Sequence, residues 1–269
     1  MEKQRKKVGL VLGSGGVRGF AHIGVIKKLL EHNIPIDYIA GSSIGAWVGA
    51  YYSLFKDVKN LEEYTLEKKR EKFMSFLEPT FSGGLIKGDK LEKLLNGWLN
   101  DADFKDLKIP LAIVATDLVT GEAVVFKKGK LATAVRASIS VPTLFTPVRI
   151  DNKILVDGGL SNPVPDDVVR KMGADIVISV NLDNYVKNEE FLTDKNKSLS
   201  NTAIRSINIL RYHLSRYSTS SSDFVIEPYT PNIGIKSFRD YFRSNIATDL
   251  VKNGEIETEK IIKELKAVL

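Results

Sequence analysis

A serine flanked by glycines lies between a predicted strand and a predicted helix in the first fifth of the chain. The pentapeptide from Gly41 to Gly45 has the form G-x-S-x-G, with Ser43 at its centre. Tyr38–Ala40 is typical of a buried strand, and Ile44–Tyr52 of the first turns of a helix. A sharp bend between two such elements turns its side chain outward, and the flanking glycines allow close packing. Ser43 would then act as a nucleophile at a helix N-terminus, although the motif alone also fits a tight turn without chemistry.

A glycine-rich loop follows the first predicted strand, Val8–Leu12. Four of the seven residues from 13 to 19 are glycine, namely Gly13, Gly15, Gly16 and Gly19. Such a loop between a strand and a helix presents bare backbone N–H groups that can bind an anion.

Three interpretations of this loop compete. A dinucleotide fingerprint requires glycine at the sixth position counted from Gly13, where this chain has Arg18. A purely structural turn needs fewer glycines. The third interpretation is an oxyanion hole, in which N–H groups among Gly15, Gly16, Val17 and Arg18 face a tetrahedral intermediate formed on Ser43. Both loops would follow adjacent strands at the carboxyl edge of one sheet.

Asp157 ends a predicted strand and directly precedes Gly158 and Gly159. The strand forms the second arm of a hairpin that turns at residues 151–152, after an earlier hairpin that joins residues 110–118 to 123–126. Asp157 could be a turn aspartate or a metal ligand, although no second carboxylate or histidine lies at coordinating spacing nearby.

Composition restricts the class of protein. With 269 residues, 43% of them hydrophobic, the sequence predicts one α/β domain over residues 1–269. The net charge of +6 favours an anionic surface such as phospholipid over a nucleic-acid partner. The sequence lacks cysteine, an apolar export segment and any apolar run of about 20 residues. We therefore expect a cytoplasmic protein, with peripheral contact at the inner membrane surface; the oligomeric state stays open.

Three segments outside these motifs carry further expectations. Residues 60–100 have the pattern of two surface-packed helices, an interpretation we prefer to a lid over an acyl groove, with Asp89 and Glu92 forming a capping box. Residues 184–200 are polar and are predicted to form a mobile loop.

A helix over residues 201–217 has one apolar face, which we assign to core packing rather than membrane docking. That face comprises Ala203, Ile207, Leu210, Leu214 and Tyr217.

Four blocks in this order resemble the patatin-like phospholipase family. They are the glycine loop with residues 15–19, the bend at Ser43, the block Ala137–Pro142 and the triplet Asp157–Gly159. The resemblance covers essentially the whole chain and implies a mostly parallel central β-sheet between helices. It also implies a lipid acyl hydrolase without a cofactor, in which Ser43 is the nucleophile and Asp157 the base of a catalytic dyad. The family often has glycine where this chain has Ser14, which leaves open which N–H groups form the oxyanion hole.

Two other functions are compatible with parts of the sequence. A Ser-His-Asp esterase would use His213 as base, but the α/β-hydrolase fold places several strands before its serine, and here only one clearly precedes it. A non-catalytic acyl-binding or regulatory module would not need both Ser43 and Asp157. Because the proposed site has one carboxylate and the three histidines are scattered, we expect hydrolysis to need no metal.

Overall fold

The computed structural model describes residues 5–67, 78–80, 83–184, 198–230 and 246–269. The aromatic residues Phe73, Phe76 and Phe81 of the proposed lid lie outside the described residues. Most of the predicted 184–200 loop also lies outside them.

Ten strands are present in the described part of the chain. They are β1 (Val8–Leu12), β2 (Tyr38–Ser42), β3 (Gly84–Ile86), β4 (Leu111–Asp117), β5 (Ala123–Phe126), β6 (Thr143–Phe145), β7 (Val148–Ile150), β8 (Lys153–Asp157), β9 (Ile176–Val180) and β10 (Phe224–Ile226). Both predicted hairpins, β4–β5 and β7–β8, are confirmed as antiparallel pairs.

The main sheet has eight strands in the order β10-β9-β1-β2-β4-β8-β7, with β5 also paired to β4. The five strands from β10 to β4 are parallel to one another. Strands β5 and β8 pair antiparallel with β4, and β7 pairs antiparallel with β8. Strands β3 and β6 form a separate two-stranded sheet. The mostly parallel central sheet predicted from the sequence is confirmed.

Helices surround this sheet. They are α1 (Ala21–Glu31), α2 (Ile44–Phe55), α3 (Val58–Glu67), α4 (Asp89–Trp98), α5 (Leu131–Ser138), α6 (Asp166–Lys171), α7 (Leu199–Tyr217), α8 (Ile246–Glu259) and α9 (Ile262–Val268). Short 3₁₀ turns cover Gly16–Phe20, Phe104–Asp106 and Gly158–Leu160.

Both faces of the parallel strands are buried, which explains their continuous apolar sequences. Leu10 and Ile39 point into a large cluster with apolar residues of α1, α2, α4 and α5. Val11 and Ala40, one residue further along, point to the opposite face, where Val168 and Val169 of the short helix α6 cover them. The sheet therefore forms the middle layer between helices.

The segment from residue 60 to 100 packs on this core where the structure describes it. Leu61, Leu91 and Leu95 are buried, and Tyr64 of α3 stacks on Trp98 of α4 with ring centroids 4.9 Å apart. These contacts agree with surface-packed helices.

The capping box predicted at the start of α4 is wrong. The residue before α4 is Gly88, in the left-handed conformation, and the N–H of Lys90 in the first turn donates to the carboxylate of Glu78 at 3.0 Å. Asp89 is the first helical residue and pairs with Lys87, and Glu92 accepts a hydrogen bond from Thr133. The spacing predicted a local bond, but both carboxylates bind side chains instead.

The prediction that the apolar face of α7 packs in the core is also wrong. Ile207, Leu210 and Tyr217 are 54%, 70% and 78% exposed. Helical periodicity identifies which residues share a face, but it does not say whether another element covers that face.

No helix in the described ranges combines the length and the apolar character that crossing a membrane requires.

Candidate active site

Ser43 is the single residue between β2 and α2, and its backbone conformation is strained. Its φ of 53° and ψ of −123° are rare for a residue other than glycine and cost on the order of 1–3 kcal/mol. Its carbonyl accepts hydrogen bonds from the N–H groups of Ala46 (2.9 Å) and Trp47 (3.2 Å), so Ser43 caps the N-terminus of α2. The strand-to-helix bend expected at the G-x-S-x-G motif is present.

The hydroxyl of Ser43 donates a hydrogen bond to the carboxylate of Asp157. The distance from Ser43 Oγ to Asp157 Oδ2 is 2.5 Å, and the two residues are only 6% and 4% exposed. The second carboxylate oxygen, Oδ1, accepts the N–H of Gly159 at 2.7 Å. Both oxygens of Asp157 are thus bound, and one of them contacts the serine directly.

The register of β4 explains why these two residues meet. Ser42, at the end of β2, is opposite Val114, and Asp157, at the end of β8, is opposite Ala115. Strand β5 pairs with residues 113–116 of β4, so it must occupy the other edge. Strands β2 and β8 therefore follow one another along the same edge of β4, and their ends converge although the strands run in opposite directions.

Burial changes the protonation chemistry of Asp157. Loss of solvent raises the pKa of its carboxyl above the ordinary value, while the hydrogen bond from Ser43 and the positive charge of Arg211 act in the opposite direction. The nearby negative charge of Asp183 adds to the increase. A carboxylate with a raised pKa is a stronger base than an exposed aspartate, which suits it to accept a proton from a hydroxyl.

The glycine loop forms the C-terminal extension of β1, and some of its N–H groups are already occupied. Gly13 donates to the carbonyl of Val180 (3.1 Å) and Ser14 to that of Pro163 (2.8 Å). The N–H of Arg18 donates to Gly15 O at 3.3 Å within the 3₁₀ turn. The oxyanion role expected for the Arg18 N–H is therefore not supported.

The remaining N–H groups of the loop belong to Gly15, Gly16 and Val17. None of them donates to a main-chain carbonyl in the described part of the protein. They lie at the N-terminal end of the 3₁₀ turn, and Gly16 has a φ of +58°, which favours glycine. These three N–H groups are therefore candidates for the anion-binding role that the sequence predicts for the loop.

The end of β1 and the glycine loop lie so close to α2 that two positions, Gly19 and Gly45, have no room for a side chain. A Cβ atom at Gly19 would overlap the side chain of Ile44, and one at Gly45 would overlap the carbonyl oxygen of Leu12. The end of β1 and the loop are therefore packed against Ile44 and Gly45, the two residues that follow Ser43. An added side chain would force the two apart.

The other motif glycines are equally confined. A Cβ atom at Gly41 would lie 2.6 Å from Gly45 O, and one at Gly13 would lie 2.5 Å from Val180 O. Gly158 faces the carbonyl of Val114, and a Cβ atom at Gly159 would lie 2.8 Å from Ser14 Oγ. The glycines thus allow the ends of several strands to converge.

Two serines of the Ala137–Pro142 block form hydrogen bonds with the backbone N–H groups of Ser43 and Asp157. These bonds could not be predicted from the sequence. Ser138 Oγ accepts the N–H of Ser43 at 2.8 Å and donates to Val114 O at 2.6 Å. The carbonyl of Ser140 accepts the N–H of Asp157 at 2.9 Å. From the sequence alone, the block contributes only to the family resemblance.

A buried ionic network behind the glycine loop was also missed. Arg18 donates through Nε to Gly15 O (3.0 Å) and through its guanidinium to Asp183 Oδ1 (3.3 Å). Arg211 of α7 donates to both oxygens of Asp183 and, at 2.9 Å, to Ser14 Oγ. Two arginines thus share one buried carboxylate, and both also contact the loop.

The three histidines have other surroundings. His22 is fully buried with Nε2 2.7 Å from Gly13 O, and burial lowers its pKa to about 4. His32 contacts Glu259 at 3.0 Å, and His213 is exposed on α7 with its ring against Tyr212. The Asp157 carboxylate binds Ser43 and Gly159, not a histidine, so the geometry gives no support to a triad based on His213.

No cluster of three or more His, Asp or Glu side chains that could hold a metal ion is found among the residues that the structure describes.

A cavity of about 640 Å³ opens between α2, α3 and α4. Its aromatic lining consists of Tyr51, Phe55, Tyr64 and Trp98. Tyr51 is eight residues after Ser43 along α2, a rise of roughly 12 Å. The cavity is therefore separate from the Ser43–Asp157 pair.

Comparison with known proteins agrees with this geometry. The model of the family described as patatin-like phospholipase matches residues 10–169. An uncharacterized NTE family protein of Mycobacterium tuberculosis is 36% identical over 177 residues, which cover 65% of this chain and 49% of the relative. Patatin-like phospholipase domain-containing protein 6 of Homo sapiens is 33% identical over 182 residues, covering 65% of this chain and 13% of the relative.

Neuropathy target esterase sws of Drosophila melanogaster has the same 33% identity, over 181 residues, and 13% of it is covered. This chain therefore spans about half the length of the mycobacterial relative and a small part of the animal ones. The crystal structure of VipD from Legionella pneumophila superimposes with a TM-score of 0.55 at 15% identity, covering 97% of this chain and 67% of VipD, which supports the fold alone. Because the family model matches more than half of the chain, the protein belongs to the patatin-like phospholipase family.

Proposed function

We propose that this protein hydrolyses carboxylic esters of lipids, with Ser43 as the nucleophile and Asp157 as the general base. The observation that carries the proposal is the 2.5 Å hydrogen bond from Ser43 Oγ to Asp157 Oδ2 at a strained strand-to-helix bend. The family membership and the words phospholipase and esterase in the names of the relatives point to the same class of substrate.

In the first half of the reaction, Ser43 Oγ attacks the ester carbonyl and Asp157 takes the hydroxyl proton. The C–O bond to the alcohol then breaks, Asp157 returns the proton to the leaving oxygen, and an acyl-enzyme remains on Ser43. Water attacks the acyl-enzyme in the second half with Asp157 again as base, which releases the fatty acid. The raised pKa of Asp157 favours the step in which its carboxylate accepts the proton of Ser43.

The negative charge on the tetrahedral intermediates needs fixed donors. We assign this role to N–H groups among Gly15, Gly16 and Val17, which are not engaged by main-chain acceptors in the described residues. Each such donor contributes on the order of 3 kcal/mol to transition-state stabilisation in acyl-transfer enzymes. The N-terminus of α2 adds its dipole beside Ser43.

The test combines covalent labelling with turnover. A serine-directed fluorophosphonate should label Ser43, and Ser43→Ala should remove both the label and the hydrolysis of a soluble monomeric ester. Ser42→Ala is the matched control, because the Ser42 hydroxyl is buried next to the same bend and has no hydrogen-bond partner within the described ranges. Label or turnover that survives in Ser43→Ala would refute the proposal, and a folded wild-type protein that hydrolyses no ester would favour the acyl-binding module. A panel of phospholipids and neutral lipid esters then defines the substrate.

A further inference from the structure

Helix α7 carries a stripe of exposed large apolar side chains. Ile207, Leu210 and Tyr217 recur at helical spacing and are all exposed, with Ala203 in the same row. Ser215, on another side of the same helix, is fully buried. An exposed row of large apolar side chains on a folded protein usually marks a surface that binds a partner or a lipid phase.

The charge of this helix has one sign. The 19 residues from Leu199 to Tyr217 include three arginines and no aspartate or glutamate. Arg211 is directed inward to Asp183, whereas Arg216 is exposed and donates to the hydroxyl of Tyr212. An amphipathic helix with cationic residues and exposed aliphatic and aromatic residues has the composition that binds the interface of anionic membranes.

The position of the stripe connects it with the glycine loop. Arg211, which reaches Ser14 Oγ at 2.9 Å, follows Leu210 directly and lies one helical turn after Ile207. The apolar row therefore borders the side of α7 that contacts the loop. Ser43 and Asp157 are almost completely buried, so a lipid ester must be delivered to them from a surface close by.

We propose that the exposed stripe of α7, formed by Ile207, Leu210 and Tyr217, docks on an anionic phospholipid bilayer and brings the glycine loop to the lipid surface. This inference rests on the proposed function, since it supplies the route by which a membrane lipid reaches Ser43. The positive charge matches an anionic lipid surface and opposes pairing with a second copy of the same helix.

Vesicle binding tests the inference without turnover. Protein with Ser43→Ala is mixed with vesicles of phosphatidylcholine alone or of equal amounts of phosphatidylglycerol and phosphatidylcholine, and the bound fraction is measured by flotation. We expect binding to the phosphatidylglycerol vesicles and weaker binding when salt is raised to about 0.5 M. Adding Leu210→Ser and Tyr217→Ser should reduce the partition coefficient by about tenfold or more, because two apolar side chains no longer enter the interface.

Ile256→Ser is the control, since Ile256 is a half-exposed aliphatic residue on a different helix, α8. It should leave binding within about twofold. The inference is overturned if the Ser43→Ala protein does not bind the phosphatidylglycerol vesicles, if the α7 variant binds as well as the control, or if the stripe mediates self-association instead. With Ser43 restored, the α7 variant and Ile256→Ser should hydrolyse a soluble ester at equal rates. If neither of these proteins nor the wild type hydrolyses the ester, the result counts against the proposed function and not against docking.

Discussion

The Oγ atom of Ser138 lies 2.8 Å from the backbone nitrogen of Ser43 and 2.6 Å from the carbonyl oxygen of Val114. One hydroxyl thus links the strained bend after β2 to the neighbouring strand β4. Ser138 is fully buried, so water cannot replace either bond. The strained conformation of Ser43 is held partly by this serine from α5.

We expect Ser138→Ala to lower kcat by about 10- to 100-fold on a soluble ester. The substitution removes the partner of two buried groups, which costs roughly 1–3 kcal/mol for each group left unsatisfied, and it lets the bend relax. Initial rates and a urea unfolding curve measure both effects.

Ser53→Ala is the control for this prediction. Ser53 is fully buried in α2, and its hydroxyl has no hydrogen-bond partner among the residues described. Its loss should leave kcat unchanged and stability nearly so. Equal losses in the two variants would mean that Ser138 contributes only to packing.

Asp157→Asn should separate the dyad from a histidine-based triad. The amide keeps the shape of the side chain but cannot accept the serine proton, so kcat should fall by roughly 10²- to 10⁴-fold with the fold intact. His213→Gln should leave kcat within about tenfold, since His213 is exposed on α7. If His213→Gln abolished turnover in a folded protein while Asp157→Asn did not, the assignment of the base would be wrong.

The electrostatics around Asp157 predict shifts of opposite sign in the pH profile. The base must be ionised, so kcat/KM falls as pH decreases through its pKa. Arg211 lowers this pKa, and Asp183 raises it. Arg211→Gln should therefore move the acidic limb of the profile to higher pH, and Asp183→Asn should move it to lower pH.

Profiles of kcat/KM from about pH 4 to pH 9 on a soluble monomeric ester measure these shifts. Arg216→Gln is the control, because Arg216 is on the same helix but contacts Tyr212 rather than the loop. Shifts of the same sign in Arg211→Gln and Asp183→Asn would contradict the electrostatic explanation and indicate a structural effect.

The sequence predicted the central sheet and the pair Ser43 and Asp157 because local signals mark them. Apolar runs specify buried parallel strands, and the glycines mark the bends where strand ends converge. Four motifs in order then linked two positions that are 114 residues apart.

Other parts of the site have no such local signal. The bonds from Ser43 to Ser138 and from Arg211 to Ser14 join residues 95 and 197 positions apart, and a single serine or arginine in a helix does not indicate its partner. The exposure of Leu210 was missed for a related reason, since an apolar face has the same periodicity whether or not it is covered. The sequence signal that could have indicated this exposed surface is the charge of α7, which contains arginines and no acidic residue.

The contact between the glycine loop and α2 predicts a strong effect of a very small substitution. A Cβ atom at Gly45 would overlap the backbone carbonyl oxygen of Leu12, and backbone at the end of β1 cannot move without disturbing the pairs on both sides. We expect Gly45→Ala to destabilise the protein by more than about 2 kcal/mol or to prevent folding. Any folded fraction should show a lower kcat, because the loop is displaced from Ser43.

Gly97→Ala is the control for this prediction. Gly97 is near the end of α4, and a Cβ atom added there would meet no neighbouring element within 4 Å. Alanine at this position should therefore be neutral or stabilise the protein by up to about 1 kcal/mol. Thermal unfolding and soluble-ester rates of the two variants measure the difference, and a fully active, equally stable Gly45→Ala would show that the loop need not lie against α2.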